Sequence, residues 1–127
     1  MKFIGCNPLI PSKPTIEIYS EGNVWDLHNA GVFIGFYFNA IDRYVKLNWK
    51  YYNNLSNESN IFNLTIQSSG VSSFEVKRRD LEMPYSEDDC LSELNYNSES
   101  NSIMLKFMGG QEIIIYSDEL NFYSKDI

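Results

Sequence analysis

Apolar and polar residues alternate with a period of two along most of this chain, and that period belongs to half-buried β-strands. Residues 15–20 set Ile16 and Ile18 against Thr15, Glu17 and Tyr19, after a segment that Pro8, Pro11 and Pro14 keep extended. Val32, Ile34, Phe36 and Phe38 fall on one face of a second predicted strand. Val45, Leu47, Trp49 and Tyr51 fall on one face of a third, with Tyr44, Lys46, Asn48 and Lys50 opposite. Residues 39–43 between these two strands suit a hairpin connection. A polar loop is expected over 53–60. Phe62, Leu64 and Ile66 then mark a fourth strand, which Ser68-Ser69-Gly70 ends, and residues 71–77 form a fifth carrying Phe74 and Val76.

The strongest local signal lies further on. Ile103, Leu105 and Phe107 alternate up to Gly109-Gly110, and residues 113–116 alternate afterwards. Two glycines in that position predict a two-residue hairpin turn with positive φ angles. Leu120, Phe122 and Tyr123 suggest a last short strand. Residues 90–97 are ambiguous. Ser86 followed by Asp89 resembles a capping box and would start a short helix, whereas Cys90, Ser92, Leu94 and Tyr96 alternate as a strand would. An internal echo favours the strand. Phe36-Tyr37-Phe38-Asn39, five residues and Val45 to Trp49 resemble Leu94-Asn95-Tyr96-Asn97, five residues and Ile103 to Phe107.

These elements predict an all-β fold, mainly an antiparallel meander shaped as a sandwich or a strongly curved sheet, with at most one short helix. At 127 residues the chain is expected to be a single globular domain spanning 1–127. Phe36, Phe38, Trp49 and Phe107 are the expected aromatic core.

Composition turns attention from catalysis to binding. The chain holds 17 Asp and Glu against 10 Lys and Arg, for a net charge of -7, and a single histidine. No nucleophile beside a base, metal-ligand set or phosphate-cradling glycine loop is legible, so neither an enzyme nor a cofactor or metal site is expected. Cys6 and Cys90 are too few and too far apart for a disulfide framework, which points to a reducing, cytoplasmic setting. No apolar run is long enough to span a bilayer. Nucleic acid is an unsuitable partner, because phosphate binding needs surplus positive charge. The only basic cluster, Lys77-Arg78-Arg79, runs at once into Asp80 and Glu82. A chain this acidic would be repelled by phosphates unless it segregated its charges sharply.

Three constellations remain. Asp26 and His28, two residues apart, would share a face of a strand, although nothing nearby supplies a nucleophile, and a histidine bonded to backbone is the simpler reading. The carboxylates Glu82, Glu87, Asp88, Asp89 and Glu93, with Tyr85 among them, form an acidic run suited to docking a basic protein. The run lacks the regular offsets and turn glycine of a calcium loop. Finally, Tyr19, Tyr37, Tyr44, Tyr52 and Tyr123 fall out of phase with the apolar faces or at segment ends. Such tyrosines serve as interface anchors or stack on sugar rings, or they simply suit a pleated surface.

The segment from Trp25 to Ala30, with Leu27-His28-Asn29-Ala30 leading into an alternating strand, resembles a motif of small all-β immunity proteins of bacterial polymorphic toxin systems. There the third position is Asp, where this chain has Asn29. The resemblance implies a non-catalytic inhibitor that neutralises a cognate basic toxin domain by direct binding. The alternative expectation is a structural or assembly module that self-associates through strand edges.

Overall fold

The computed structural model describes residues 1–53 and 60–127. Most of the loop expected over 53–60 therefore lies outside the described residues. Among the described residues eleven strands follow one another: β1 (Lys2–Ile4), β2 (Glu17–Ser20), β3 (Asn23–Asp26), β4 (Gly31–Asn39), β5 (Tyr44–Asn53), β6 (Asn60–Ser69), β7 (Ser73–Lys77), β8 (Leu91–Asn97), β9 (Ser102–Phe107), β10 (Glu112–Tyr116) and β11 (Glu119–Asp126). One 3₁₀ turn, Tyr85–Glu87, precedes β8. The fold is all-β, as the alternation predicts. Within the ambiguous residues 90–97, Leu91–Asn97 resolves as strand, and the short helical turn falls before it.

One sheet has the order β1-β11-β6-β5-β4, a second β7-β10-β9-β8, and β2 and β3 form a separate hairpin. All pairs are antiparallel except β1 with β11. Val45, Leu47, Trp49, Leu64, Ile66, Leu120 and Phe122 from the first sheet pack against Leu91, Leu94, Ile103, Leu105, Phe107, Ile113 and Ile115 from the second. Ile18, Trp25 and Leu27 close one side of this core. Each large apolar side chain buried there contributes about 1.5–3 kcal/mol. Residues 12–15 cover the free edge of β8 through Ser12 N–H to the Tyr96 carbonyl (2.9 Å) and reciprocal bonds between Thr15 and Leu94 (2.9 and 2.7 Å).

The internal echo is a repeated hairpin. In the first copy, Asn39 Oδ1 accepts the N–H groups of Ile41 (3.0 Å) and Asp42 (2.9 Å), and Arg43 closes the loop at φ 55°. In the second, Asn97 Oδ1 accepts those of Glu99 (3.0 Å) and Ser100 (3.3 Å), and Asn101 closes it at φ 55°.

Three local expectations are corrected. In β4 a bulge between Phe33 and Gly35 slips the alternation by one residue. Phe33, opposite Trp49, thus enters the core, its ring 5.1 Å from Trp49 and 4.6 Å from Phe107. Ile34 and Phe36 stay exposed. Gly35 takes φ 154°, a conformation that residues with a Cβ rarely adopt, although a Cβ there would meet only open space. The Gly109-Gly110 turn is a three-residue loop, not a two-residue one. Gly110 N–H bonds the Phe107 carbonyl (2.9 Å), Phe107 N–H bonds the Gln111 carbonyl (3.0 Å), and only Gly110 has positive φ, at 93°. A type I turn closed by one left-handed residue has this pattern. Lastly, β3 ends at Asp26, so Asp26 and His28 do not share a strand face. Asp26 Oδ1 instead accepts the N–H groups of His28 (3.1 Å) and Asn29 (2.9 Å), and turns the chain into β4.

Candidate functional site: an acid-rimmed apolar mouth

Two strands whose inner faces should be buried are not. Phe36 pairs with Leu47 and Val76 with Ile113, so both stand on the core side of their sheets. Leu47 and Ile113 are buried, yet Phe36 is 40% and Val76 52% exposed. β4 and β7 are each the last strand of a sheet, and the two sheets part between them. Phe74 bridges the gap, its ring 4.8 Å from Phe38 and 6.2 Å from Phe36. These three rings, with Val76 two residues along β7 from Phe74, form an incompletely covered apolar cluster at the sheet edges, the mouth of the sandwich.

The loop from Arg78 to Cys90 borders this mouth at both ends. It leaves β7 directly after Lys77, and its Asp89 carbonyl accepts the N–H of Phe33 in β4 (2.9 Å). Its shape depends on Arg79. That guanidinium donates to Asp88 Oδ1 and Oδ2 (3.0 and 3.1 Å) and to the carbonyls of Met83 (2.8 Å) and Pro84 (3.3 Å), and lies 4.7 Å from the ring centre of Tyr85. The loop is also fastened to the β9–β10 tip. Asp80 N–H bonds the Gly109 carbonyl (2.8 Å), Gly109 N–H the Glu87 carbonyl (3.0 Å), and Gln111 Nε2 the Asp88 carbonyl (3.0 Å).

The expected acidic residues divide accordingly. Glu82 and Asp89 are exposed and Glu87 is half-buried on the loop, while Tyr85 is 82% exposed and Leu81 65%. Asp88 is committed to Arg79 and is a clip within the loop. Glu93 lies elsewhere, in β8 opposite Lys106. It stands in a row whose charges alternate through Lys106, Glu112 and Lys77, with Lys77 Nζ 3.5 Å from Glu112. The loop carries five carboxylates (Asp80, Glu82, Glu87, Asp88 and Asp89) against two arginines, Arg78 and Arg79. Its rim is therefore negative beside an apolar opening.

Sequence reasoning missed the meeting of His28 with Cys90, which are too far apart in the chain for any spacing to signal it. Cys90 Sγ lies 3.4 Å from His28 Nδ1, and that same nitrogen lies 2.7 Å from the Leu91 carbonyl. A carbonyl only accepts, so Nδ1 carries the proton and cannot take one from the thiol. Burial, reinforced by the charges of Glu87 and Asp89, also pushes the Cys90 pKa up. The pair lacks the features of an activated nucleophile. Among the described residues, no group of three His, Cys, Asp or Glu is placed to hold a metal ion. A depression of about 490 Å³ beside β3 is lined by Glu17, Asp26, Asn29 and Tyr52, among others. The Asp26 carboxylate there is already used by His28 and Asn29.

No protein-family model matches the sequence, and neither a curated protein nor a solved structure matches it. Among the described residues, no helix is long and apolar enough to cross a membrane.

Proposed function

We propose that the chain is a non-catalytic binding protein, an inhibitor of the immunity type, that docks its acid-rimmed mouth onto a basic protein domain. The observation that carries this reading is the exposure of Phe36 and Val76. Both face inward by register, and both lie beside the negatively charged loop. Interfaces commonly combine apolar anchors at the centre with a polar rim. Carboxylates around an apolar opening would steer a basic partner in, raising association rates 10- to 10³-fold at low salt. Exposed Tyr85 and Leu81 would add contact area at the rim.

The test is capture of a basic partner from the source organism at low salt, by the wild type and by two variants. One carries Phe36→Ala with Val76→Asp, and the other Glu82→Gln, Glu87→Gln and Asp89→Asn. The expected result is a single basic partner that high salt releases, that the first variant fails to hold and that the second binds more slowly. Co-expression should then protect cells from that partner's toxicity. Equal retention by all three proteins would show that this face is not the binding surface.

A second reading, self-association through strand edges, draws on the exposed Ile34 and Phe36 of β4. Sedimentation over a range of concentrations tests it, and a strict monomer removes it.

A further inference from the structure

The outward side of the five-stranded sheet lies away from the mouth and its loop. Strand registers arrange its side chains in rows. One row runs through Tyr37, Lys46, Gln67 and Asn121, and the next through Asn48, Thr65 and Tyr123. A third holds Lys50, Asn63 and Lys125. None of these residues is a carboxylate, although the chain has 17 Asp and Glu against 10 Lys and Arg. Glu119 stands one row further out, opposite Ser69. Among the described residues, Lys46, Lys50 and Lys125 form no ion pair. An acidic protein has thus gathered uncompensated positive charge on one face, which attracts an anionic ligand.

The remaining side chains narrow the class of anion. Four amides, Asn48, Asn63, Gln67 and Asn121, each offer both donors and acceptors. A ligand rich in hydroxyl groups can use both, whereas a phosphodiester backbone offers acceptors alone. Two amides are held in place: Thr65 Oγ1 donates to Asn48 Oδ1 (3.0 Å), and Tyr123 Oη to Gln67 Oε1 (3.5 Å). Tyr37 and Tyr123 are 56% and 39% exposed and present ring surface for apolar sugar faces. Strand geometry separates Lys50 from Lys125 by about 10 Å and Lys46 from Lys50 by about 13 Å. These lysines are therefore spaced to meet successive charges on an extended chain rather than to enclose one ion.

We infer that this face binds an acidic polysaccharide, its hydroxyls on the amide rows and its carboxylates on Lys46, Lys50 and Lys125. The inference is independent of the partner assigned to the mouth. The test is electrophoresis of the full chain through native gels containing polygalacturonate or neutral dextran, with anisotropy of a labelled oligothymidine as the competing case. The expected result is retardation by polygalacturonate and not by dextran. It should fall at least tenfold in Lys50→Glu/Lys125→Glu and in Tyr123→Ala, with thermal melting unchanged, and persist in Phe36→Ala/Val76→Asp. Lack of retardation at low salt, retardation that survives both face variants, or tighter binding of the oligothymidine would each overturn it.

Discussion

Asn39 and Asn97 hold equivalent positions in two hairpins, each side chain accepting two backbone N–H groups at the head of its loop. Asn39→Ala and Asn97→Ala should each cost about 1 kcal/mol, the scale of a lost local side-chain bond to backbone. The last residues of the loops should diverge. Asn101, at φ 55°, gains from glycine by up to about 1 kcal/mol. Arg43→Gly should destabilise instead, because Arg43 also donates to the carbonyls of Val71 (3.0 Å) and Ser72 (3.2 Å) and lies 5.0 Å from the Phe38 ring centre. Urea midpoints of the four variants check this.

Arg79 organises the acidic loop through a planar fork that a lysine cannot reproduce. Arg79→Lys should therefore behave much like Arg79→Ala, and both should cost about 1–3 kcal/mol. Hydrogen exchange at the amides of Asp80 and Gly109, which join the loop to the β9–β10 tip, should rise in both variants. If Arg79→Lys kept wild-type protection, charge rather than geometry would be holding the loop.

Phe33 and Phe36 both face inward by register, but only Phe33 is covered by the second sheet. Phe33→Ala should cost about 3 kcal/mol, since its ring packs on Trp49 and Phe107. Phe36→Ala should cost under about 1 kcal/mol and act on partner binding instead. Comparable losses of stability from the two changes would mean that the mouth is closed in solution.

The Cys6 thiol is pushed by burial from its ordinary 9.0 up to about 11. The unfolded chain releases this proton first, so between those values the folded state binds more protons. The contribution to stability is intact below about 9 and is lost as pH rises towards 11. Cys6→Ser should flatten that alkaline decline in urea midpoint. Alkylation of Cys6 should also stay slow at pH 8, where a free thiol is partly ionised.

The strands and their hairpins were legible because alternation and turn residues are local signals. The inner face of β5 (Val45, Leu47, Trp49 and Tyr51) is buried as the alternation implies. The bulge was marked only by Gly35 itself, since a glycine inside a strand can signal a bulge but does not say which neighbours change face. Placing Val32 and Ile34 on the inner face followed directly from that slip. Phe36 keeps its inward register and is exposed because β4 is an edge strand. β1 and β3 escaped notice because three or four residues show no clear period, and β1 pairs only with the distant β11. The acidic run could be read as a run, but not as a site. Removing Asp88 from it depends on Arg79, and removing Glu93 depends on the β8–β9 register. The lysine rows draw on β5 and β11, whose side chains meet on one face only after β6 has come between them.

That position of β11, inserted between β6 and β1, also bears on how the molecule is made. During synthesis the two halves of the larger sheet cannot join until residues 119–126 have left the ribosome. Up to that moment β1 has no neighbour and β6 has a bare edge. The nascent chain must therefore carry an unfinished sheet until β11 emerges. Non-local pairing of this kind makes late, slow folding the rule.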